Sequence, residues 1–324
     1  MSMGTADYAL SVIHNGTMYW PIVLNEVKVT WERSGTPGKM TFSYYDDGSC
    51  PCAEGDSVSF KYKNQNVFFG YIFKMSRNKN NQVAVTVYDQ LRYFKNKFTY
   101  VFTNKKANEI LSSIASDFGV KVGSTADTGY TIKSLIEENE TAFDIVLDAL
   151  DETLKNTGTL YIMYDNFGSI ELRSLDDMTL DLVLDEDTIQ DYDYSTSIDE
   201  ETYNKIVLYY VDEETNDRVP FTAEDSTHID QWGLLQYFEE VKVKSEGQSK
   251  ADALLELYNQ RTKTLTIKGA FGDIRVRGGS LIVANFKIGT TQIQNYLLVE
   301  KVEHTFKNDL YTMDITVNGA FGGD

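Results

Sequence analysis

Apolar and polar positions alternate over most of the first ninety residues. Tyr8 to His14 is a short apolar run, and Asn15-Gly16 supplies a tight hairpin signal before the chain returns over Thr17 to Leu24. Glu26 to Trp31 alternates strictly, and Gly35-Thr-Pro-Gly38 turns the chain into Lys39 to Tyr45. Ser57 to Lys63, Val67 to Lys74 and Gln82 to Tyr88 read as further strands separated by Asn-rich turns. Short antiparallel strands with close turns predict a β-barrel or sandwich.

The period changes after Tyr88. Asp89 to Asn96 predicts a short helical exit, and Lys105 to Phe118 a helix with Ile110, Leu111, Ile114, Ala115 and Phe118 on one face and Gly119 as its stop. Thr141 and Asp144 have capping-box spacing before a stripe of Phe143, Val146, Leu147, Leu150 and Leu154. Leu160 to Tyr164 and Ser169 to Leu175 form a hairpin pattern around Asn166-Phe-Gly168. Strand patterning resumes at Asn204 to Val211 and Arg218 to Phe221. Ser249 and Asp252 repeat the capping spacing for a helix to about Arg261. Thr264 to Lys268, Ile274 to Arg277, Ser280 to Ala284, Gln294 to His304 and Tyr311 to Asn318 complete the strands. The predicted class is α+β, mostly β: a β domain over 1–96, an inserted α+β domain over 97–190, and a second β domain with an inserted helix over 191–324.

Charge sharpens this division. Ser134 to Glu201 holds twenty Asp and Glu against Lys155 and Arg173 alone, and the whole chain carries a net charge of -19, so the remainder is close to neutral. Such a balance repels phosphate backbones and argues against specific nucleic-acid binding. The acidic segment predicts a surface that faces a partner or a conduit, with Glu137, Glu138, Glu140, Asp185, Glu186 and Asp187 as its candidate residues. The Tyr and Phe residues, 21 and 17 of them, suit strands and broad buried interfaces. No apolar run reaches the length of a membrane span, and Met1 to Tyr8 lacks the pattern of a signal peptide.

Candidate chemistry is sparse. The carboxylates of 137–148 offer spacings compatible with a glycosidase pair, but such pairs occur in any acidic surface. Counting from Asp185, the sixth position of a calcium loop is Gln190 and the twelfth Thr196, so the EF-hand pattern fails. Cys50 and Cys52 flank Pro51 and read as reduced loop thiols. Gly269-Ala-Phe-Gly272 and Gly319-Ala-Phe-Gly322 repeat one another as turn sequences. No nucleophile elbow, zinc-protease helix or phosphate loop is present. The sequence predicts no cofactor, no metal site and no enzymatic activity.

Several segments resemble the XkdQ/YqbQ-type baseplate hub proteins of contractile phage tails, prophages and phage-tail-like bacteriocins. The most specific is Tyr88-Asp-Gln-Leu-Arg-Tyr-Phe-Lys95, followed by Thr99-Tyr-Val-Phe102 and Ala107-Asn-Glu-Ile-Leu111. Tyr203-Asn-Lys-Ile-Val207, Trp232-Gly-Leu-Leu-Gln236 and Gly272-Asp-Ile-Arg-Val-Arg-Gly-Gly-Ser280 follow in the order expected of such hubs. The resemblance implies two tail-tube-like β-barrels per chain and a homotrimer that adapts the sixfold tube to a threefold spike. The implied partners are the tail-tube protein, the spike protein, other baseplate proteins and the tape-measure protein. It implies a tail baseplate or bacteriocin particle assembled in the bacterial cytoplasm, without a membrane anchor. The competing expectations are a β-rich adhesin or cell-wall-binding tail module and a cell-wall hydrolase.

Overall fold

The computed structural model describes residues 7–199, 201–212, 215–241, 243–289, 291–307 and 310–318. The chain divides into two compact units. The first comprises the residues up to Asp193 together with Thr266–Val317, and the second contains Tyr194–Leu265.

The first unit opens with β1 (Tyr8–His14), β2 (Thr17–Tyr19), β3 (Ile22–Glu32), β4 (Lys39–Tyr45), β5 (Ser57–Tyr62), β6 (Gln65–Arg77) and β7 (Gln82–Tyr88), then a 3-10 turn over Gln90–Lys95. Pro21 interrupts the expected Thr17–Leu24 strand, because proline has no N–H for a sheet ladder. Next come β8 (Lys97–Lys105), α1 (Ala107–Asp117), β9 (Val122–Thr125), β10 (Ile132–Thr141), α2 (Ala142–Thr157), β11 (Tyr161–Asp165) and β12 (Ile170–Ser174). β13 (Thr179–Asp185) and β14 (Asp191–Ser197) lead to the second unit. That unit has β15 (Lys205–Val211), β16 (Arg218–Glu224), α3 (Ser226–Trp232), β17 (Gln236–Glu240) and α4 (Gly247–Tyr258). β18 (Thr262–Phe271), β19 (Leu281–Ile288), β20 (Thr291–Lys307) and β21 (Leu310–Asn318) complete the chain.

The protein is mostly β, as the alternation predicts. The early and late strands, however, belong to one thirteen-stranded sheet, with the central order β18-β21-β20-β3-β4-β7-β6-β5-β1. No closed ring is formed by the strand pairing among the described residues. β20 makes the junction: Thr291–Leu298 pairs with β19, and Lys301–Lys307 pairs with β3. β13 joins β19 in parallel, whereas β1–β5, β5–β6, β6–β7, β7–β4, β4–β3, β3–β20 and β20–β21 pair antiparallel.

Strict period-2 patterning gives this sheet two unlike faces. Val27, Val29 and Trp31 of β3, Met40, Phe42 and Tyr44 of β4, Val83, Val85 and Val87 of β7, and Val302 and Phe306 of β20 are all buried. Each such side chain contributes about 1.5–3 kcal/mol relative to exposure, so a one-residue slip would be prohibitive. The rings of Phe60, Tyr62, Phe306 and Tyr311 pack at centroid distances of 4.3 to 5.3 Å, tying the early strands to the late ones.

The α+β module has a separate core. Ile110, Leu111, Ile114, Phe143, Val146 and Leu150 pack with Leu172 and with Phe94 of the 3-10 turn. Thr141 Oγ1 accepts from the Asp144 N–H at 3.1 Å, and Gly158 ends α2 at φ 72°, both where the sequence signals lie. The two-stranded ribbon of β8 and β10 was not expected: exposed Val101 and Ile136, paired on its outer face, blur the apolar–polar alternation, and its strands carry no strong turn signal. Ile274 to Arg277 is not a strand. Asp273 accepts the Arg275 N–H at 2.9 Å and its own carbonyl accepts from Val276 at 3.1 Å, so the segment coils locally.

In the second unit, β15 pairs antiparallel with β16 and parallel with β17. Ala251 of α4 packs with Ile206, Leu208, Ala223 and Val241, and Leu254 and Leu255 face the same core. α3 and β17 were not predicted. No helix among the described residues is long and apolar enough to cross a membrane.

Candidate functional site

The candidate acids occupy separate places. Glu138 and Glu140 are exposed and Glu137 is half-buried on β10, at a register shift where Asn139 takes φ 58°. Asp185 is a turn former: its carboxylate accepts from the N–H groups of Asp187 and Thr188 at 3.2 and 3.0 Å. Glu186 accepts from the Lys287 N–H at 3.4 Å, and Asp187 is exposed. The acidic segment is also not wholly surface. Asp165 and Glu171 are buried, and Glu171 accepts from Tyr164, Asn166 and Arg173 at 2.8 to 3.1 Å. Among the described residues no group of three or more His, Cys, Asp or Glu has a metal-binding arrangement.

A charged junction that sequence inspection did not single out lies inside the first unit. It joins the Tyr88–Lys95 segment, the β11–β12 hairpin and the Gly272–Ser280 loop. Asp89 is buried at the head of the 3-10 turn and accepts from the N–H groups of Gly38 (2.8 Å) and Leu91 (3.0 Å). Asp165 accepts from the Gly168 N–H at 2.7 Å and from Gln90 Nε2 at 3.4 Å. Arg277 donates to the Asp165 carbonyl at 3.1 Å, and its guanidinium lies 4.0 Å from the Tyr164 ring and 5.0 Å from that of Trp31.

Burial dominates the electrostatics here. It raises the Asp89 carboxyl well above the usual range, and the charge of Asp165 adds to this, while the Gly38 and Leu91 N–H groups and Arg277 oppose it. Burial likewise pushes Asp165 up to about 6, against the Gly168 N–H and Arg277. Desolvation lowers the Arg277 pKa, and Tyr164, Asp165 and Asp89 offset part of that loss. The Arg277 charge, acting on both buried carboxyl groups, thus offsets part of their desolvation.

Two glycines permit it. A Cβ on Gly38 would overlap the Asp89 carboxylate, and a Cβ on Gly278 would overlap the backbone of Glu32 and Arg33. The Gly278 contact seats the loop flush on the end of β3. His304 lies beside the same loop, fully buried, with Nδ1 accepting from the Tyr311 hydroxyl at 2.8 Å and Nε2 donating to the Val276 carbonyl at 2.9 Å. Burial lowers its pKa to about 4, so the ring is neutral.

The second unit has a smaller counterpart. Asn204 is fully buried; Nδ2 donates to the Gly233 carbonyl at 2.7 Å and Oδ1 accepts from the Leu235 N–H at 2.9 Å. This amide clamps the 232–236 segment to the start of β15. Cys50 is buried and Cys52 half-buried, both thiols are free, and burial pushes Cys50 up to about 12. Gly269–Gly272 ends β18, where the Gly272 N–H donates to Tyr311; the second Gly-Ala-Phe-Gly lies outside the described residues.

The polar face of the large sheet is a further organised surface. Lys28, Thr30 and Glu32 of β3 stand beside Thr41 and Ser43 of β4, Thr86 of β7, and Lys301, Glu303 and Thr305 of β20. Three of its lysines pair internally: Lys28 with Glu303 at 2.6 Å, Lys301 with Glu32 at 3.3 Å, and Lys307 with Glu26 at 3.1 Å; Lys39, at the start of β4, forms no such pair among the described residues.

A family model described as YQBQ-like matches residues 27–318. The protein XkdQ of the phage-like element PBSX of Bacillus subtilis strain 168 is 35% identical over 271 residues, covering 82% of each chain. The 43 kDa tail protein of prophage MuSo2 from Shewanella oneidensis has a TM-score of 0.70 at 14% identity, over 95% of this chain and 98% of that one. The Escherichia coli c3393 protein, a type VI secretion component with structural similarity to the T4 bacteriophage tail proteins gp27 and gp5, gives 0.57 at 11% identity, over 95% and 75%. The two structural likenesses are likenesses of fold. Matched along nearly its whole length by the family model and at 35% identity by XkdQ, the chain belongs to the YQBQ-like family and has the fold of phage tail proteins.

Proposed function

We propose that the protein is the hub of a contractile-tail baseplate, a homotrimer that adapts a sixfold tail tube to a threefold spike and forms the distal end of the conduit. The observation that carries this reading is the single sheet running through both β halves, buried on one side and polar on the other. Its outer face presents Thr, Ser and mutually neutralised Lys–Glu pairs. A conduit wall passing a polyanion or an unfolded protein needs low adhesion, and a hydrated surface on which Lys28, Lys301 and Lys307 are each paired with a glutamate lowers it. In this reading 1–96 and 191–324 supply tube-like elements and 97–190 the insert. Glu137, Glu138, Glu140, Asp185, Glu186 and Asp187 belong to a rim or partner surface. Tube, spike, other baseplate proteins and the tape measure are the partners, in a tail or bacteriocin particle assembled in the cytoplasm.

Light scattering over a concentration series, alone and with the spike protein of the same particle, tests the proposal. A mass of three times 36.8 kDa in either condition is expected. A monomer that stays monomeric and binds neither spike nor tube protein would refute it.

A further inference from the structure

One groove in the first unit is basic although the chain is strongly acidic. It has a volume of about 390 Å³ and is lined by Lys39, Tyr88, Arg92 and Lys95, with Glu32, Lys301 and Glu303 among its other lining residues. Glu32 and Glu303 are already engaged, at 3.3 Å by Lys301 and at 2.6 Å by Lys28. Lys39, Arg92 and Lys95 have no carboxylate partner among the described residues. Arg92 and Lys95 stand three apart on the 3-10 turn, where such positions eclipse one another. Each is braced on an aromatic ring: Arg92 lies 5.3 Å from Phe73, and Lys95 lies 5.1 Å from Phe143. These cations are held in place before any ligand arrives, which lowers the ordering cost of binding.

The same molecule carries an unmatched acidic stripe. Asp144, Asp148 and Asp151 follow one another at helical spacing along α2, after Glu140, and Lys155 is the helix's one basic residue. Like charges at these spacings repel. Desolvation, followed by the charges of Asp151, Asp144 and Glu140, holds the Asp148 carboxyl above its usual range. The stripe is short of cations, and the groove is short of carboxylates.

We infer that the basic groove of one copy seats the α2 acidic stripe of a second copy, head to tail. The contact joins two different surfaces, the kind of interface that closes into a ring when the rotation permits. This rests on the trimeric reading above and names its contact. The occupant follows from charge complementarity: the groove's three unpaired cations face a stripe of four carboxylates with one lysine.

The test is sedimentation and light scattering of the full chain at about 50 and 500 mM salt. It uses Arg92→Glu/Lys95→Glu, the milder Arg92→Gln/Lys95→Gln, Glu140→Lys/Asp148→Lys/Asp151→Lys, and a chain carrying both reversals. Wild-type association should weaken about tenfold or more at the higher salt. Each single-sided variant should shift to monomer with its far-UV circular dichroism spectrum retained, and the doubly reversed chain should reassociate. A trimer insensitive to salt and to either reversal would overturn the groove contact while leaving the trimeric reading intact. A doubly reversed chain that remains monomeric would overturn the pairing. A wild-type chain that assembles only on the spike would overturn direct groove-to-stripe association while preserving the adapter role.

Discussion

Removing the Arg277 guanidinium should be among the most damaging single changes to the first unit. The side chain is held between Tyr164 and Trp31 at 4.0 and 5.0 Å, and it bridges the end of β3 to the β11–β12 hairpin. Taking one partner from a buried ionic cluster leaves uncompensated charge and costs about 3–5 kcal/mol. The two ring contacts contribute about 1–2 kcal/mol within that figure, since the terms are not additive. Arg277→Met retains much of the packing volume and isolates the charge effect. Urea denaturation at pH 7.5 should therefore place it about 3–5 kcal/mol below wild type.

The pH dependence makes this prediction specific. Asp89 and Asp165 are already raised in the folded protein, Asp165 to about 6, and losing the cation raises both further. A carboxyl raised on folding penalises the folded state above its folded pKa. The penalty fades as pH falls toward its unfolded value of about 3.9. The Arg277→Met deficit should thus shrink between pH 7.5 and 5, and adding Asp165→Asn should return about 1–2 kcal/mol at pH 7.5. A deficit below about 1 kcal/mol, or one that grows on acidification, would show that the guanidinium does not neutralise these acids.

Four further outcomes follow from the geometry. Gly278→Ala should cost about 1–3 kcal/mol or more by thermal melting, because its new methyl group meets backbone at Glu32 and Arg33, which cannot rotate away. Asn204→Ala should cost about 2–3 kcal/mol and release amide-exchange protection at Leu235, whose N–H donates to Asn204 Oδ1. His304 has a folded pKa of about 4 and an unfolded one near 6.5, so wild type should lose stability relative to His304→Gln as pH falls from 6.5 to 4, by about 2–3 kcal/mol in denaturant midpoints. Thiol-labelling rates at pH 8 should be at least about a hundredfold slower for Cys50 in the native protein than in urea, since it is buried with a thiol raised to about 12.

Local signals in the chain were legible where local physics decides the structure. The period-2 faces of Glu26–Trp31 and Lys39–Tyr45, the Thr141–Asp144 cap and the Gly158 stop need only neighbouring residues, and each stands where the pattern placed it. Ile274–Arg277 misled because two isoleucine and valine positions two apart resemble a strand, while the Asp273 carboxylate, able to capture a nearby N–H, turns the chain. The charged junction was invisible for a different reason. Asp89, Asp165 and Arg277 are 76 and 112 residues apart in succession, and a buried carboxylate has the same letter as a solvated one. The acidic run also concealed its own heterogeneity, since Asp165 and Glu171 contribute to net charge without contributing to the surface.

The position of the β3–β20 junction bears on how the two halves work together. If each half were a self-contained domain, strain applied to one would be absorbed at a linker. Here Lys301–Lys307 pairs with Glu26–Glu32 residue for residue, and the same seven residues carry His304 and Phe306 into the common core. The Gly272–Ser280 loop then locks the end of that pair through Gly278 and Arg277. Separating the halves would break a ladder, expose the aromatic cluster of Phe60, Phe306 and Tyr311, and strip Arg277 from the Asp165 carbonyl and the Tyr164 ring in one step. In the proposed conduit, axial force on the early strands would therefore pass to the late ones through this paired ladder.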